Sequence, residues 1–390
     1  MQKSNFINAL QLSAGFLWGA VALLSPPLAR GAVLDREFTF EAEEVWVGNL
    51  IGQVRIGSHG GKDIVVRVHV DGRDATPELL KLEEHHGHRA ELAIIFPVEE
   101  HRRYVYPALG SGSRTQFRAR EHDGDWLSEL LHGREIEVRG ESFRDAIEVW
   151  ADVEVLLPGG KDVTIFLGVG AMEARDVRGD LDLDTQSGRI TVDALEGRLR
   201  ADTGSGAVHV GSVRGDVDVD TGSGSVDLAD ISKAQRVLVD TGSGGVDVRN
   251  VEARELVLDT GSGSVDVADA RVEEMNVDTG SGGVEAVDIE ADGVLIDTGS
   301  GSVELELLRL GGGRYEVDTG SGGIRLRLPR EVSAVFEVDT GSGGIEVDLE
   351  GVDLGRKPRH EARFTVGSGT SRVRLSTGSG GVRIGHGQEG

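Results

Sequence analysis

The pentapeptide Asp-Thr-Gly-Ser-Gly recurs unbroken eight times, beginning at Asp202, Asp220, Asp240, Asp259, Asp278, Asp297, Asp318 and Asp339. Looser copies begin at Asp184 (Asp-Thr-Gln-Ser-Gly), Thr365 (Thr-Val-Gly-Ser-Gly) and Ser376 (Ser-Thr-Gly-Ser-Gly). From Asp184 to Asp339 successive copies stand 18, 18, 20, 19, 19, 19, 21 and 21 residues apart. Self-similarity at a nearly constant period restricts the chain to a stack of like units, each resting on its neighbours.

Both flanks of the motif alternate aliphatic and polar residues, as in Val217-Asp218-Val219-Asp220 before it and Val226-Asp227-Leu228 after it. A two-residue period means strands with one face buried and one wet. The inward positions before successive turns are Val237 and Val239, Leu256 and Leu258, Met275 and Val277, Val294 and Ile296, Tyr315 and Val317, and Phe336 and Val338. Those after the turns are Val246 and Val248, Val265 and Val267, Val303 and Leu305, Ile324 and Leu326, and Ile345 and Val347. The motif itself reads as a corner. Its glycines are expected to supply positive φ, and its Asp, Thr and Ser side chains to accept from turn N–H groups. The opposite end of each repeat varies in length and reads as an elastic turn. One such coil cannot bury its apolar row alone, so the fold class is all-β, a β-solenoid of about 9–11 stacked coils with strands about 4.8 Å apart.

Four segments follow from this. Residues 1–31 read as a secretory signal peptide, with Lys3 ahead of an uncharged stretch, an apolar run from Leu12 to Leu24, and small residues near Gly31 for cleavage. An uncleaved anchor is the rival, though the run is shorter than the ~20 residues a span needs. Residues 32–170 are strand-rich without the repeat and read as an irregular cap with opening coils. Within them Pro77 to His85 and Gly124 to His132 look like short helical excursions or long loops. Residues 171–350 are the regular solenoid. In residues 351–390 a loop with Arg356, Lys357 and Arg359 precedes two glycine turns 11 residues apart, and this Arg-rich finish reads as a closing coil or hairpin.

The charge is unevenly spread. Residues 180–307 hold 28 acids and 9 bases, whereas residues 308–390 hold 11 and 12. An acidic shaft repels phosphate backbones, which argues against a nucleic-acid partner. The split favours end-to-side self-association or contact with other envelope components. The chain has no cysteine, so disulfide staples and a lipidated cysteine are excluded.

Three chemistries bear on the conspicuous residues. Leu238-Val239-Asp240-Thr241-Gly242-Ser243 has the look of an aspartic-protease loop, but that reaction needs one pair of carboxylates sharing a proton. Eight equivalent copies along a stack single out no pair. The eight aspartates form a corner ladder that is structural or binds cations, with Ca²⁺ the candidate if two coils pool their oxygens. No other cofactor is expected. His85, His86 and His88 are compact enough to be candidate metal ligands for zinc or copper, but no cysteine or fourth ligand accompanies them, and a solvated loop accounts for them better.

The run of Gly-x-(Val/Ile)-x-(Val/Leu) strands between Thr-Gly-Ser-Gly turns resembles the "putative adhesin" family of DUF4097-type repeats, also called toastrack domains, most strongly from Gly179 to Gly385. The segment from about Tyr104 to Arg139 departs from the pattern. The resemblance implies a bacterial envelope protein with a β-solenoid body, in a family without established catalytic residues. The function expected is therefore a non-catalytic, exported, structural or adhesin-like module meeting a glycan or protein surface. A Ca²⁺-stabilised β-roll surface protein and, by fold analogy, a polysaccharide-acting β-helix enzyme stand as alternatives.

Overall fold

A computed structural model describes residues 34–118, 134–352 and 360–387. The expected signal peptide, the segment Gly124 to His132 and the Arg356–Arg359 loop lie outside the described residues. Val33–Gly390 forms one compact unit. Its only described helix is a single 3-10 turn at Pro107–Leu109. The other expected helical excursion, Pro77 to His85, ends instead in the strand Lys81–His85, which pairs antiparallel with Arg89–Ile95.

The expected solenoid is present, and its coils stack in parallel and in register. Before the corner, Asp184 pairs with Asp202, Asp202 with Asp220, Asp220 with Asp240, and so on through Asp297 to Asp318. We call this row of strands the first ladder. After the corner a second ladder runs from Met172 and Ile190 through Val208, Val226, Val246, Val265 and Val284 to Val303 and Ile324. The inward aliphatics expected from the alternation are buried, save Val347, which is only partly covered.

The stretch expected to be an elastic turn is a third ladder. Val177, Leu195, Val213, Ile231, Val251, Ala270, Ile289 and Leu307 are successive partners, all buried. Just before this column stand Asp176, Ala194, Asp230, Asn250, Asp269 and Asp288, each in the left-handed region with φ between 52° and 55° or at 56°. Asp and Asn tolerate this conformation better than most residues because their short side chains bond locally. The left-handed residue turns the chain and shifts the alternation by one, so the next aliphatic points inward again. As a result four strands of 15 or 16 residues, from Val226–Thr241 to Val284–Thr298, bend through all three ladders without a break.

The regular stack reaches further toward the N-terminus than residue 171. Glu44–Ile51 and Val54–Ser58 make a full coil whose neighbours are Asp162–Val169 and Met172–Arg178. Counting one glycine corner per coil, from Gly52, Gly170 and Gly188 to Gly322, Gly380 and Gly343, gives twelve coils among the described residues, more than the 9–11 expected. Antiparallel strands cover both ends. Lys81–His85 closes the first ladder antiparallel to Arg89–Ile95; in the second, Trp150–Leu157 continues in parallel from Val54–Ser58, and Ile64–Asp71 and then Leu34–Phe40 close it in antiparallel. At the far end Glu361–Val366 runs antiparallel along Ala334–Thr340. Such capping strands remove the open pairing edge that a bare coil would offer.

The segment that departs from the repeat builds a separate four-stranded sheet from Arg103–Val105, Arg114–Arg118, Glu135–Arg139 and Ile147–Glu148. Buried Tyr104 holds it, edge-on to Phe96 with centroids 5.8 Å apart and its hydroxyl donating to the His101 carbonyl at 2.9 Å. The sheet lies over the corner line of the early coils, where Thr115 Oγ1 sits 3.2 Å from Ser187 Oγ.

The final coil is no hairpin and is not last in the stack. Ser371–Thr377 and Val382–His386 lie between the coil of Arg314–Leu328 and that of Ala334–Val347. The chain thus passes its own penultimate coil and returns beneath it.

Candidate functional site

The repeated corner concentrates the residues singled out by the sequence, and each motif residue has a different task. The threonines, from Thr203 to Thr377, are all buried. Thr340 donates to the Gly343 carbonyl of its own corner at 2.8 Å, but elsewhere these hydroxyls donate to a glycine carbonyl of the preceding coil, as Thr241 to Gly224 at 3.1 Å, Thr260 to Gly244 at 3.0 Å, Thr279 to Gly263 at 3.0 Å and Thr298 to Gly282 at 2.9 Å. The same oxygen accepts from its own corner, as from the Gly263 N–H at 3.0 Å and the Gly282 N–H at 3.0 Å. From Thr221 to Thr319, and again at Thr377, a relay of N–H to hydroxyl to carbonyl therefore ties one coil to the one before it, inside the protein, where an unmade bond costs about 1–3 kcal/mol.

The glycines do not serve the purpose first expected of them. In Asp-Thr-Gly-Ser-Gly neither glycine from Gly204 onward has left-handed φ. What they supply is room. A Cβ at Gly224, Gly244, Gly263 or Gly282 would lie 1.6–1.8 Å from the carbonyl oxygen of the equivalent glycine one coil earlier. At Gly242 or Gly261 the gap would be 2.4–2.5 Å. The following residue is free of this constraint: a Cβ at Gly245 would meet only the Ser264 carbonyl at 3.6 Å, and Ser264 and Ser302 occupy the same place in other repeats.

The eight aspartates line up on the outer side of the first ladder. Ser376 interrupts the column between Asp318 and Asp339. They lie side by side on neighbouring strands and not face to face in a cleft, so no pair is set apart to share a proton. Among the described residues no hydrogen bond joins these eight carboxylates to turn amides. Aspartates at the opposite corner do that: Asp180 Oδ1 accepts from the Arg198 N–H at 2.8 Å, and Asp216 Oδ1 accepts from the Gln235 N–H at 2.6 Å. Burial, and then the repulsion of the neighbouring aspartates, holds the Asp202, Asp220, Asp259 and Asp297 carboxyls above the usual carboxylate range.

The column supplies one carboxylate per coil, a line and not a cage. Among the described residues no three His, Asp or Glu side chains converge as metal ligands. The three candidate histidines are spread out. His85 lies on a strand opposite Glu91, while exposed His86 leans on Phe40, with centroids 5.3 Å apart, and stands 3.5 Å from Glu84. His88 is exposed in the turn that follows.

Sequence reasoning missed the groove on the second-ladder side of the corner, an open trough of about 1220 Å³. Ser264, Gly283, Ser302 and Gly323 form its floor. Asp266, Glu285 and Glu304 line one wall, followed along the same column by Arg325, Arg383 and Glu346. The signal was present as a second acidic column, Asp227, Asp247, Asp266, Glu285 and Glu304, always one residue past the first aliphatic after the corner. The corner therefore carries two acidic rails with small residues between them. Such an edge offers the same contact at every coil, about 4.8 Å apart, and holds no single constellation of unlike groups.

Parallel coils in register, glycine corners and a hydroxyl relay define a β-solenoid repeat protein. The family model described as Toastrack DUF4097 matches residues 212–385. That match falls on the repeats whose sequence resembles the same family. Two solved structures align with it, each 11% identical. One is a "putative cell adhesion protein" from Clostridium sporogenes ATCC 15579, covering 91% of this chain and 99% of that one with a TM-score of 0.21. The other is a "putative adhesin" from Bacteroides fragilis NCTC 9343, covering 90% and 96% with a TM-score of 0.31. No curated protein matches the chain.

Two outcomes are expected from the corner. Gly244→Ala should destabilise the protein by about 4 kcal/mol or more, the range reached only by severe backbone or core disruption. Its neighbour Gly245→Ala should stay within about 0.5 kcal/mol; urea melts of the two variants check the contrast. Asp259→Asn should instead stabilise the protein at pH 7, by about 0.5–1 kcal/mol at low salt and less in 0.5 M NaCl, because like charges at strand spacing repel by roughly 0.9 kcal/mol in water. The sign with pH follows from the raised carboxyls. The folded state takes up protons at a higher pH than the unfolded chain, so acidification from neutrality toward pH ~4 removes the penalty. The gain of the Asn variant should shrink over that window, and melting at pH 7 and pH 4.5 measures it.

Proposed function

We propose that this protein is an exported, non-catalytic, adhesin-like module whose solenoid presents charged ladders to other envelope components, a glycan or protein surface among them. One observation carries the reading: the motif most suggestive of chemistry is consumed in joining coils. Its threonines are buried in the intercoil relay and its glycines fill close contacts. What faces outward is a repeating column of carboxylates and an open groove with the same small floor residues coil after coil. Repetition of that kind suits many weak, equivalent contacts along an extended partner, since linked contacts raise overall avidity without any one being strong. The acidic rails favour a partner surface carrying positive charge. Export is supported by the uncharged apolar run from Leu12 to Leu24 behind Lys3.

Fractionation of cells producing the whole chain, combined with binding of the purified protein to isolated envelopes, tests this reading. The chain is expected outside the cytoplasm, shortened near Gly31, and bound to envelopes in a saturable way that weakens several-fold between 50 and 500 mM NaCl. Retention in the cytoplasm, or binding indifferent to salt, would contradict the proposal.

A further inference from the structure

The out-of-order final coil carries a further inference. Two segments of the chain are built alike: Phe336-Glu-Val-Asp-Thr-Gly-Ser-Gly-Gly-Ile-Glu-Val and Val373-Arg-Leu-Ser-Thr-Gly-Ser-Gly-Gly-Val-Arg-Ile. They pair residue for residue with each other, Phe336 with Val373 and Ile345 with Val382. Either has the strands, the glycines and the buried threonine needed to stack on the coil of Arg314–Leu328. The second one does so, and its Thr377 hydroxyl donates to the Gly322 carbonyl at 2.8 Å, completing the relay at that step. Although buried Phe336, stacked on Phe364 with ring centroids 4.7 Å apart, is larger than Val373, the apolar alternation does not separate the two candidates. Charge does.

In the observed order Glu316 faces Arg374, and Arg374 faces Glu337. Arg374 Nη1 lies 3.2 Å from Glu316 Oε1, and Glu337 is paired on its other side with Arg363 at 2.8 Å. Ser376 likewise separates Asp318 from Asp339. Stacking in sequence order would put Glu337 on Glu316 and Asp339 on Asp318. Glu316 is the most sheltered of these acids, its side chain 18% exposed, so an acid beside it would be poorly screened. Two columns oppose the observed order, because Arg314 meets Arg372 and Arg325 meets Arg383. Both steps are relieved, as Arg314 pairs with Glu316, Arg325 has Glu304 at 3.1 Å and Arg383 has Glu346 at 2.9 Å.

We propose that the coils of residues 334–347 and 371–384 are alternative occupants of one slot on the coil of residues 314–328, and that the charges at 316, 337 and 374 select the second. The choice also decides how the stack ends. In the observed order Ala334–Thr340 lies between Ser371–Thr377 and the antiparallel cap Glu361–Val366. The turn joining these two flanking strands is fastened to Ser333, whose carbonyl accepts from the Thr370 hydroxyl at 3.0 Å and from the Ser371 N–H at 3.0 Å. In sequence order the final coil would take the edge that Glu361–Val366 now covers, and its own outer edge would be left uncapped.

The chain has no cysteine, so engineered pairs on the exposed corner serines can report the order without interference. Ser321→Cys with Ser379→Cys reads the observed order, and Ser321→Cys with Ser342→Cys reads the sequence order. With native charges the first pair should oxidise within the chain at least tenfold more completely than the second. Exchanging the selecting charges, in Glu337→Arg with Arg374→Glu, should reverse that preference. Reversing the whole column, in Glu316→Arg with Arg374→Glu and Glu337→Arg, should restore it. Circular dichroism establishes that each variant is folded, and if the exchanged variant does not fold, Arg374→Gln serves in its place and should raise the 321–342 yield. Folded variants that keep the native cross-link whatever the charges, or disulfides that form only between chains, would overturn the proposal.

Discussion

A hydroxyl that donates to the coil before it and accepts from its own corner is the interaction on which the rest of the structure depends. It operates only because the glycine carbonyl it reaches is uncovered and close, with the next glycine packed where a methyl group would collide with that oxygen. The close approach keeps successive corners in phase, and the phase keeps the aliphatic rows of Val226, Val246 and Val265 directly over one another. Burial of those rows supplies the driving force, while the corner supplies the register. Because a parallel stack has no tight hairpins to set its alignment, a repeated fastener of this kind does that work at every step.

The same in-phase geometry has an electrostatic consequence. A motif that brings threonine over threonine also brings aspartate over aspartate, and burial, followed by repulsion from neighbouring aspartates, raises the carboxyls of Asp220 and Asp259 above the usual carboxylate range. The fold accepts this strain on its wet side in return for order on its dry side. It relieves the strain where the chain can choose its neighbours, by setting Ser376 between Asp318 and Asp339 and Arg374 between Glu316 and Glu337. The acidic rails that result are also the most distinctive surface of the molecule.

Much of this was legible in the sequence. The two-residue alternation around Val237 and Val246 marked strands, and the recurrence of Asp-Thr-Gly-Ser-Gly marked a stacked corner, because both are local patterns. The third ladder was missed because left-handed residues such as Asp230 and Asn250 shift the alternation by one, so Ile231 and Val251 fall out of step with the strand that precedes them. The glycines were assigned the wrong cause, since one sequence cannot distinguish a residue chosen for its φ from one chosen for space beside another coil. The place of the last coil was not legible either, for Phe336 to Val347 and Val373 to Ile384 follow the same local pattern, and the partners of the charges that distinguish them lie on other coils. His85, His86 and His88 are neighbours in sequence, but His85 ends a strand opposite Glu91 while His86 leans on Phe40, and they form no ligand cluster among the described residues.

Hydrogen exchange at the corner tests the central claim most directly. The amides of Gly244, Gly263, Gly282 and Gly301 donate to buried threonine hydroxyls. They should therefore exchange as slowly as those of Val246, Val265 and Val284, which bond across the adjoining strands. Exchange at the rate of an open loop, while the flanking valines stay protected, would contradict the account and leave the corners as simple turns.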